Sequence, residues 1–245
     1  MPTTAPTPRV RVTRAPKRGV YDRAQIDAIL DEALVCHVGF VHDAQPYVIP
    51  MLHARVGDVV YVHGSTASRL VRTLAGGAPC SLTVTLLDGI VLARSAFHHS
   101  ANFRSATVLG RASVVASDEQ KLRALEAFSE HLLPGRWQHV RPPNRKELKA
   151  TQVLALALDE ASAKVRSGPP ADDDEDIDRD VWAGVLPLEL QALAPLPDAQ
   201  LAATIALPAH VAGWNATRRP AAGPHGAFRP ASAAEGTVPA TTVEV

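Results

Sequence analysis

Charge of one sign, aromatic rings, cysteines and long apolar runs are what this sequence has least of. Its 25 Lys and Arg balance 25 Asp and Glu, so no global field draws the chain to nucleic acid or to an anionic membrane, and binding has to come from a local site. Aromatic residues make up 4% of the chain, too few for a platform on which bases stack. No apolar run nears the roughly 20 residues of a membrane span, and the longest, such as residues 153–158, are strand-sized. The opening MPTTAPTPRVRVTRAPKRG is basic but leads into no apolar signal segment, so a cytoplasmic location is expected. Cys36 and Cys80, the 2 cysteines, lie in apolar stretches and read as reduced core residues rather than a disulfide framework.

What is present suffices for one sizeable domain with tails: 245 residues, 46% hydrophobic, with 20 Pro and 15 Gly. Residues 1–18 lack periodicity and are expected to form a flexible arm, residues 19–212 the domain with a C-terminal extension, and residues 213–245 a Pro/Ala-rich disordered tail. The acidic run at 171–176 reads as a solvated surface loop. A helix is predicted over 22–34, capped by Asp22, with Ile26, Ile29, Leu30 and Ala33 on one face. Strands are predicted at 35–41, 46–56 and 59–63, the last two joined by the hairpin signal Gly57-Asp58. A helix from about Ser65 to Ala75 ends at Gly76-Gly77. Strands at 79–87 and 90–98 flank Asp88-Gly89, a second hairpin signal, and a strand follows over 103–116. A capping box at Ser117 and Gln120 opens a helix to Leu133, and residues 153–164 return to strand. The fold class is therefore mainly β with inserted helices, an antiparallel barrel rather than a parallel nucleotide-binding sheet.

One local pattern points to chemistry. In YVHGSTASRL, a strand through His63 reaches Gly64 and then a helix start at Ser65, where unpaired N–H groups and a partial positive charge receive phosphate. Ser65 and Ser68 add hydroxyls, Arg69 a fixed charge, and Gly64 close backbone approach; an ordinary capped helix would look the same. The histidines at 37, 42, 53, 63, 98 and 99 show no HxxxH or HExxH spacing, and the Gly57-Asp58 turn sends His53 and His63 to opposite faces, so no metal site is expected. If Asp88-Gly89 is a hairpin, Ser81, Thr83 and Thr85 share a face with Arg94: a solvated face or a cofactor wall.

The runs CHVGFVHDAQPYVIPMLHAR (36–55), HGSTASRL (63–70), CSLTVTLLDGIVLARSAFHHSANFRSATVLGRA (80–112) and SAKVRSGPPADDDEDIDRDVWAGVLPL (162–188) resemble, in consistent order, the pyridoxamine 5′-phosphate oxidase-like flavin-binding split barrels, in the branch of flavin-nucleotide-binding proteins related to nitroimidazole-resistance proteins. The resemblance implies a six-stranded antiparallel split β-barrel, a homodimer, and FMN in grooves at the subunit interface. It places the phosphate at His63, Gly64, Ser65, Ser68 and Arg69, and further flavin contacts at Thr83, His99, Ser100, Arg104 and Ser105. Lys164, Arg166 and Trp182 match a C-terminal region that completes the site from the partner subunit. The Arg and His arrangement that holds substrate in the vitamin B6 oxidases has no counterpart after Trp182.

The function so implied is an FMN-dependent oxidoreductase acting between an electron donor and a small molecule such as a nitroaromatic or quinone, with no side chain needed as nucleophile. A non-catalytic flavin or haem carrier or sensor is the alternative, and relatives that use deazaflavin keep that cofactor open.

Overall fold

The computed structural model describes residues 4–217. Ten strands form one antiparallel sheet. In chain order they are β1 (Gly19–Val20), β2 (Val35–His42), β3 (Gln45–Val56), β4 (Val59–Ser65), β5 (Pro79–Leu92), β6 (Ser100–Arg111), β7 (Ser113–Val114), β8 (Thr151–Ala157), β9 (Ala161–Arg166) and β10 (Gly184–Pro187). The helices are α1 (Arg23–Glu32), α2 (Arg69–Ala75), α3 (Asp118–Leu132), α4 (Arg145–Ala150), α5 (Ala209–Ala212) and α6 (Trp214–Thr217).

The strand order is β1-β9-β6-β5-β2-β3-β4-β8-β7, with β10 pairing β5. Strands β8 and β9 follow each other in sequence across residues 158–160 yet lie near opposite ends of that order, which requires the sheet to curl on itself. The seam is visible where Leu109 N–H donates to Glu160 O at 2.9 Å. The curl encloses a core of alternate residues: Cys36, Val38 and Phe40 of β2, Val60 and Val62 of β4, Leu82 and Val84 of β5, Ala106 and Val108 of β6, and Leu154 and Leu156 of β8.

Helix α1 starts where Asp22 accepts from Gln25 N–H at 3.1 Å, and buries Ile26, Ile29 and Leu30 in the barrel. Each such side chain contributes about 1.5–3 kcal/mol on burial. Helix α2 adds Leu70, Val71 and Leu74 to the same core. Ser117 accepts from Gln120 N–H at the start of α3, as its spacing predicts. The turn Gly57-Asp58 forms as predicted, with Val56 opposite Val59 and His53 opposite Val62.

Three sequence expectations change. Asp88-Gly89 is not a turn: β5 runs through it, and the register against β6 passes from Leu87↔Phe103 to Gly89↔Asn102, leaving Asp88 as a bulge. The bulge holds because Arg104 binds the Asp88 carboxylate and β10 lies against Gly89, where a Cβ would stand 3.0 Å from Leu186 O. Thr83 therefore faces Thr107 rather than Arg94, and the strand predicted at 90–98 is the end of β5 followed by a connection. Helix α2 begins at Arg69 with Ser68 as N-cap, because Gly64 and Ser65 are drawn into pairing with Gln152 and Thr151 of β8. The single strand predicted at 153–164 is two, β8 and β9.

Both arms are tied to the rest of the chain, the first to the barrel and the second to the end of α3. Thr7 donates to Glu160 at 2.6 Å, Val10 is buried, and Val12 N–H donates to the Tyr21 hydroxyl at 2.8 Å. At the other end Trp214 Nε1–H donates to Leu132 O at 2.9 Å, and Asn215 exchanges two hydrogen bonds with the Ala192 backbone. The rest of the segment expected to be disordered, 218–245, lies outside the described residues. The acidic run is a strap as well as a surface loop: Asp172 accepts from the Arg94 backbone and guanidinium at 2.8 and 3.0 Å, and Asp173 meets His98 at 3.0 Å.

Candidate functional site

The barrel has a split. Strand β3 pairs with β2 over Gln45–Leu52, but with β4 only over His53–Val56. From Gln45 to Leu52, then, one edge of β3 has no strand beside it among the described residues.

Which backbone groups face that gap follows from the turns. Asp43 and Ala44 both have positive φ, 48° and 61°, as a two-residue I′ hairpin requires. Such a turn closes on a hydrogen-bonded pair, His42 and Gln45, and alternation then turns the backbone groups of Pro46, Val48, Pro50 and Leu52 away from β2. The Gly57-Asp58 hairpin gives the same parity, since Val56 must bond to Val59 and even-numbered residues of β3 face β4. Consistent with this, Pro46 O accepts from the Gln45 side chain at 3.1 Å instead of from the ladder. Prolines carry no N–H, so the open edge offers the amides of Val48 and Leu52 among the carbonyls of all four residues.

Across the gap stands α2. The Arg69 guanidinium lies over the Tyr47 ring, 4.9 Å from its centroid. A cleft of about 300 Å³ opens beside it, lined by His42, Arg69, Arg72, Thr73 and Gly76. His42 Nδ1 and Thr73 Oγ1 are 3.1 Å apart and tie β2 to α2. Among the described residues, neither Arg69 nor Arg72 has a carboxylate in ion-pair contact, whereas Arg23, Arg55, Arg94 and Arg104 each have one. The Ser68 hydroxyl makes no capping bond, and Ser65 Oγ accepts from Ala67 N–H at 3.2 Å. At Gly64 a Cβ would sit 3.0 Å from Val71 Cγ2, so glycine lets α2 pack close to β4. The cleft thus presents two cations that have no carboxylate in ion-pair contact among the described residues, which suits an anion such as a phosphate, and the Tyr47 ring lies against one of them, Arg69.

The sequence-predicted residues fall into groups. Of the predicted phosphate residues Arg69 lines the cleft, with Ser68 just before it as the N-cap of α2, while Gly64 and Ser65 end β4. Arg72, which the sequence reading missed, joins them, and its signal was the spacing of one helical turn from Arg69. Thr83, Ser105 and Lys164 share the outer sheet face: Thr83 Oγ1 and Thr107 Oγ1 are 3.2 Å apart, Thr85 is opposite Ser105, and Ser105 is opposite Lys164. Arg94, predicted for that face, is tied to Asp172 instead. His63 packs edge-on against Phe128 of α3, ring centroids 4.5 Å apart, and its burial pushes its pKa below the usual histidine value. His99 Nδ1 accepts from Ala93 N–H at 3.0 Å, closing the β5–β6 connection, and Ser100 opens β6 opposite Val91. Arg104 is engaged by two carboxylates, Glu32 and Asp88, which hold its guanidinium pKa far above the usual value despite partial burial. Trp182 is 68% exposed and lies against Gly184. Among the described residues no group of three His, Cys, Asp or Glu could hold a metal ion, and no helix is long and apolar enough to cross a membrane.

A family model described as pyridoxamine 5′-phosphate oxidase matches residues 22–165. The solved structure of the flavocytochrome Anf3 from Azotobacter vinelandii is similar at 42% identity and a TM-score of 0.81, covering 85% of this chain and 97% of that one. The FAD and haem binding protein from Mycobacterium smegmatis is 43% identical, with a TM-score of 0.77, over 80% of this chain and 96% of its own. A candidate 5-nitroimidazole antibiotic resistance protein from Bacteroides thetaiotaomicron, at 22% identity and a TM-score of 0.52, shares the fold over 60% of this chain and 86% of its own. No curated protein matches the sequence.

Proposed function

The chain belongs to the pyridoxamine 5′-phosphate oxidase family, and from that premise we propose that it is a flavin-nucleotide-binding oxidoreductase whose flavin lies in the split between β3 and α2. The observation that carries the reading is the pairing of an open β3 edge with Arg69 and Arg72, two cations without carboxylates. Flavin, once bound, supplies the hydride or electron transfer. The chain's own part is to hold and orient it. Arg69 and Arg72 neutralise the phosphate, and the Ser65 and Ser68 hydroxyls add donors. The Val48 N–H offers a fixed donor to a ring acceptor, and the carbonyls of Pro46 and Pro50 beside it offer acceptors to a ring N–H. The relative from Mycobacterium smegmatis binds FAD, so the nucleotide here is FAD or FMN. Exposed Val35, Val41, Val48 and Leu52 form an apolar patch on β2 and β3 that a second copy of the chain would cover, and the donor and small-molecule substrate would meet the flavin from that side.

A haem reading has one observation in its favour. His37 stands exposed on that same face, between Pro50 of β3 and Thr83 of β5, where an imidazole can reach a metal from an apolar surface. The second of the two similar proteins binds haem together with FAD.

The visible spectrum of the purified full chain separates the two readings: flavin gives two broad bands and haem a sharp Soret band. For the site itself, Arg69→Ala should weaken FMN and FAD by roughly tenfold to a hundredfold, the range of a lost charged hydrogen bond of ~1.5–3 kcal/mol, while leaving riboflavin nearly unchanged. Equal weakening of phosphorylated and unphosphorylated flavins would make Arg69 a support of the fold instead.

A further inference from the structure

Residues 188–207 follow β10 and, Ala192 apart, are exposed throughout. Leu190, Leu193 and Leu196 are 74%, 85% and 92% exposed, so this stretch adds little burial that could hold the residues after it in place. What holds them lies at its far end, in α5 and α6. Trp214 Nε1–H donates to Leu132 O, Asn215 binds the Ala192 backbone, and the His210 ring stacks on that of His139, with centroids 4.4 Å apart and planes at 16°. An attachment made of so few contacts opens at low cost, and one of them is titratable.

The stack is built on the loop after α3. Gly135 turns that loop with a φ of 82°, and the Glu130 carboxylate accepts from Gly135 N–H at 2.6 Å and from Trp137 N–H at 2.9 Å. The loop passes close to α5: a Cβ on Gly135 would stand 3.7 Å from His210 Cβ. Three charged or titratable groups act on His210, namely His139, Arg136 and Glu130, and α5 itself adds none. The imidazole and the guanidinium oppose a positive charge on His210, and the one carboxylate that favours it is already shared by two backbone amides. His210 Nε2 is buried without a hydrogen-bond partner, so a proton placed there would leave an ionised N–H with no acceptor. Burial first, then His139 and Arg136, push the His210 pKa below the usual histidine value.

We propose that the His139–His210 stack is a pH-sensitive latch that docks α5 and α6 on the end of α3 while both rings are neutral and releases them when the rings take up protons. Protonating both rings would set two imidazolium cations 4.4 Å apart beside Arg136, and separation returns each to water. The released form binds the proton more tightly than the docked one. Docking is therefore level above about pH 6.5 and weakens below it, by up to about tenfold per pH unit for each proton taken up. Release pulls apart the apolar groove of about 310 Å³ that Leu133 of the loop forms with Leu193, Val211 and Trp214. The latch shares no residue with the cleft beside α2 and does not depend on the flavin reading.

The test is amide hydrogen exchange of the full chain, followed by mass spectrometry between pH 8 and 5 and corrected for the intrinsic pH dependence of exchange. Docking is read at the Val211, Ala212 and Gly213 amides, which donate to Pro208 O and Ala209 O. Relative to the barrel strands β5 and β6, their protection should be constant down to about pH 6.5 and fall about tenfold or more by pH 5. His139→Phe and His210→Phe keep a ring to stack and take up no proton there, so protection in both should match the parent at pH 8 and no longer fall. Arg136→Gln removes a cation that opposes the proton and leaves both rings, so it should move the fall to higher pH for His210 to be charged more readily while docked protection at pH 8 stays the same; a loop that is merely structural would lose protection at every pH alike. Constant protection in the parent between pH 8 and 5, a fall that persists in both phenylalanine variants, or an Arg136→Gln variant that loses protection equally at every pH overturns the proposal.

Discussion

Replacing Arg104 with leucine tests whether this side chain builds the fold or holds a ligand. Arg104 joins three elements. Its Nε donates to Asp88 Oδ2 at 3.0 Å on β5, and its Nη2 to Asp88 Oδ1 and Glu32 Oε1, both at 2.7 Å, the second at the end of α1. The side chains are 25%, 25% and 22% exposed for Arg104, Asp88 and Glu32. Breaking a fully buried ion pair costs ~3–5 kcal/mol and an exposed one ~0–1, so a triad about three-quarters buried should lose about 2–3 kcal/mol when its cation is removed and two carboxylates are left facing each other. At ~2–4 °C per kcal/mol for a domain of this size, the melting temperature should fall by about 5–10 °C. Circular dichroism melts read this directly, and Glu32→Gln combined with Arg104→Leu should cost less than the sum of the two single changes, because the pair acts as one unit. A melting point within about 2 °C of the parent, with flavin affinity lost, would refute the reasoning and return Arg104 to the ligand site.

Two further outcomes follow from side chains already placed. His63 has its pKa lowered by burial, so the unfolded chain takes up a proton first as pH falls; stability should be level above about pH 6.5 and decline below it, with a slope of at most ~1.4 kcal/mol per pH unit. Urea midpoints measured between pH 8 and 5 would show this, and His63→Phe should flatten the curve. Truncation after Ala212 removes the Trp214 indole bond to Leu132 O and the Asn215 pair with Ala192, so it should lower the melting point by several degrees; no change would show that these contacts contribute nothing in solution.

Much of the barrel was legible because its signals are local. Asp22 caps α1 and Gly57-Asp58 closes a hairpin as the residues predict, since both depend on a few adjacent residues. Asp88-Gly89 misled for the same reason. Its turn propensity is genuine, but Arg104 and β10, distant in sequence, compensate a bulge there and keep β5 continuous. The start of α2 was displaced from Ser65 to Arg69, because pairing of Ser65 with Thr151 could not be read from residues 61–70. The capping box of Asn144 and Glu147 at α4 went unread although its spacing is plain in the sequence. The cleft itself could not be seen from sequence, because it forms between His42 at the end of β2 and residues of α2 that are distant from it in the chain.

The unpartnered edge of β3 has a consequence for how the protein behaves at high concentration. Eight residues of exposed strand edge are a template on which another extended chain can add itself, the first step of fibrillar self-association. Pro46 and Pro50 remove half of the donors that such a docking strand would need, while leaving the carbonyls in place. The two rings therefore keep the edge reachable by a small heterocycle and unrewarding to a polypeptide. A chain with valine at both positions should keep its barrel and lose its solubility.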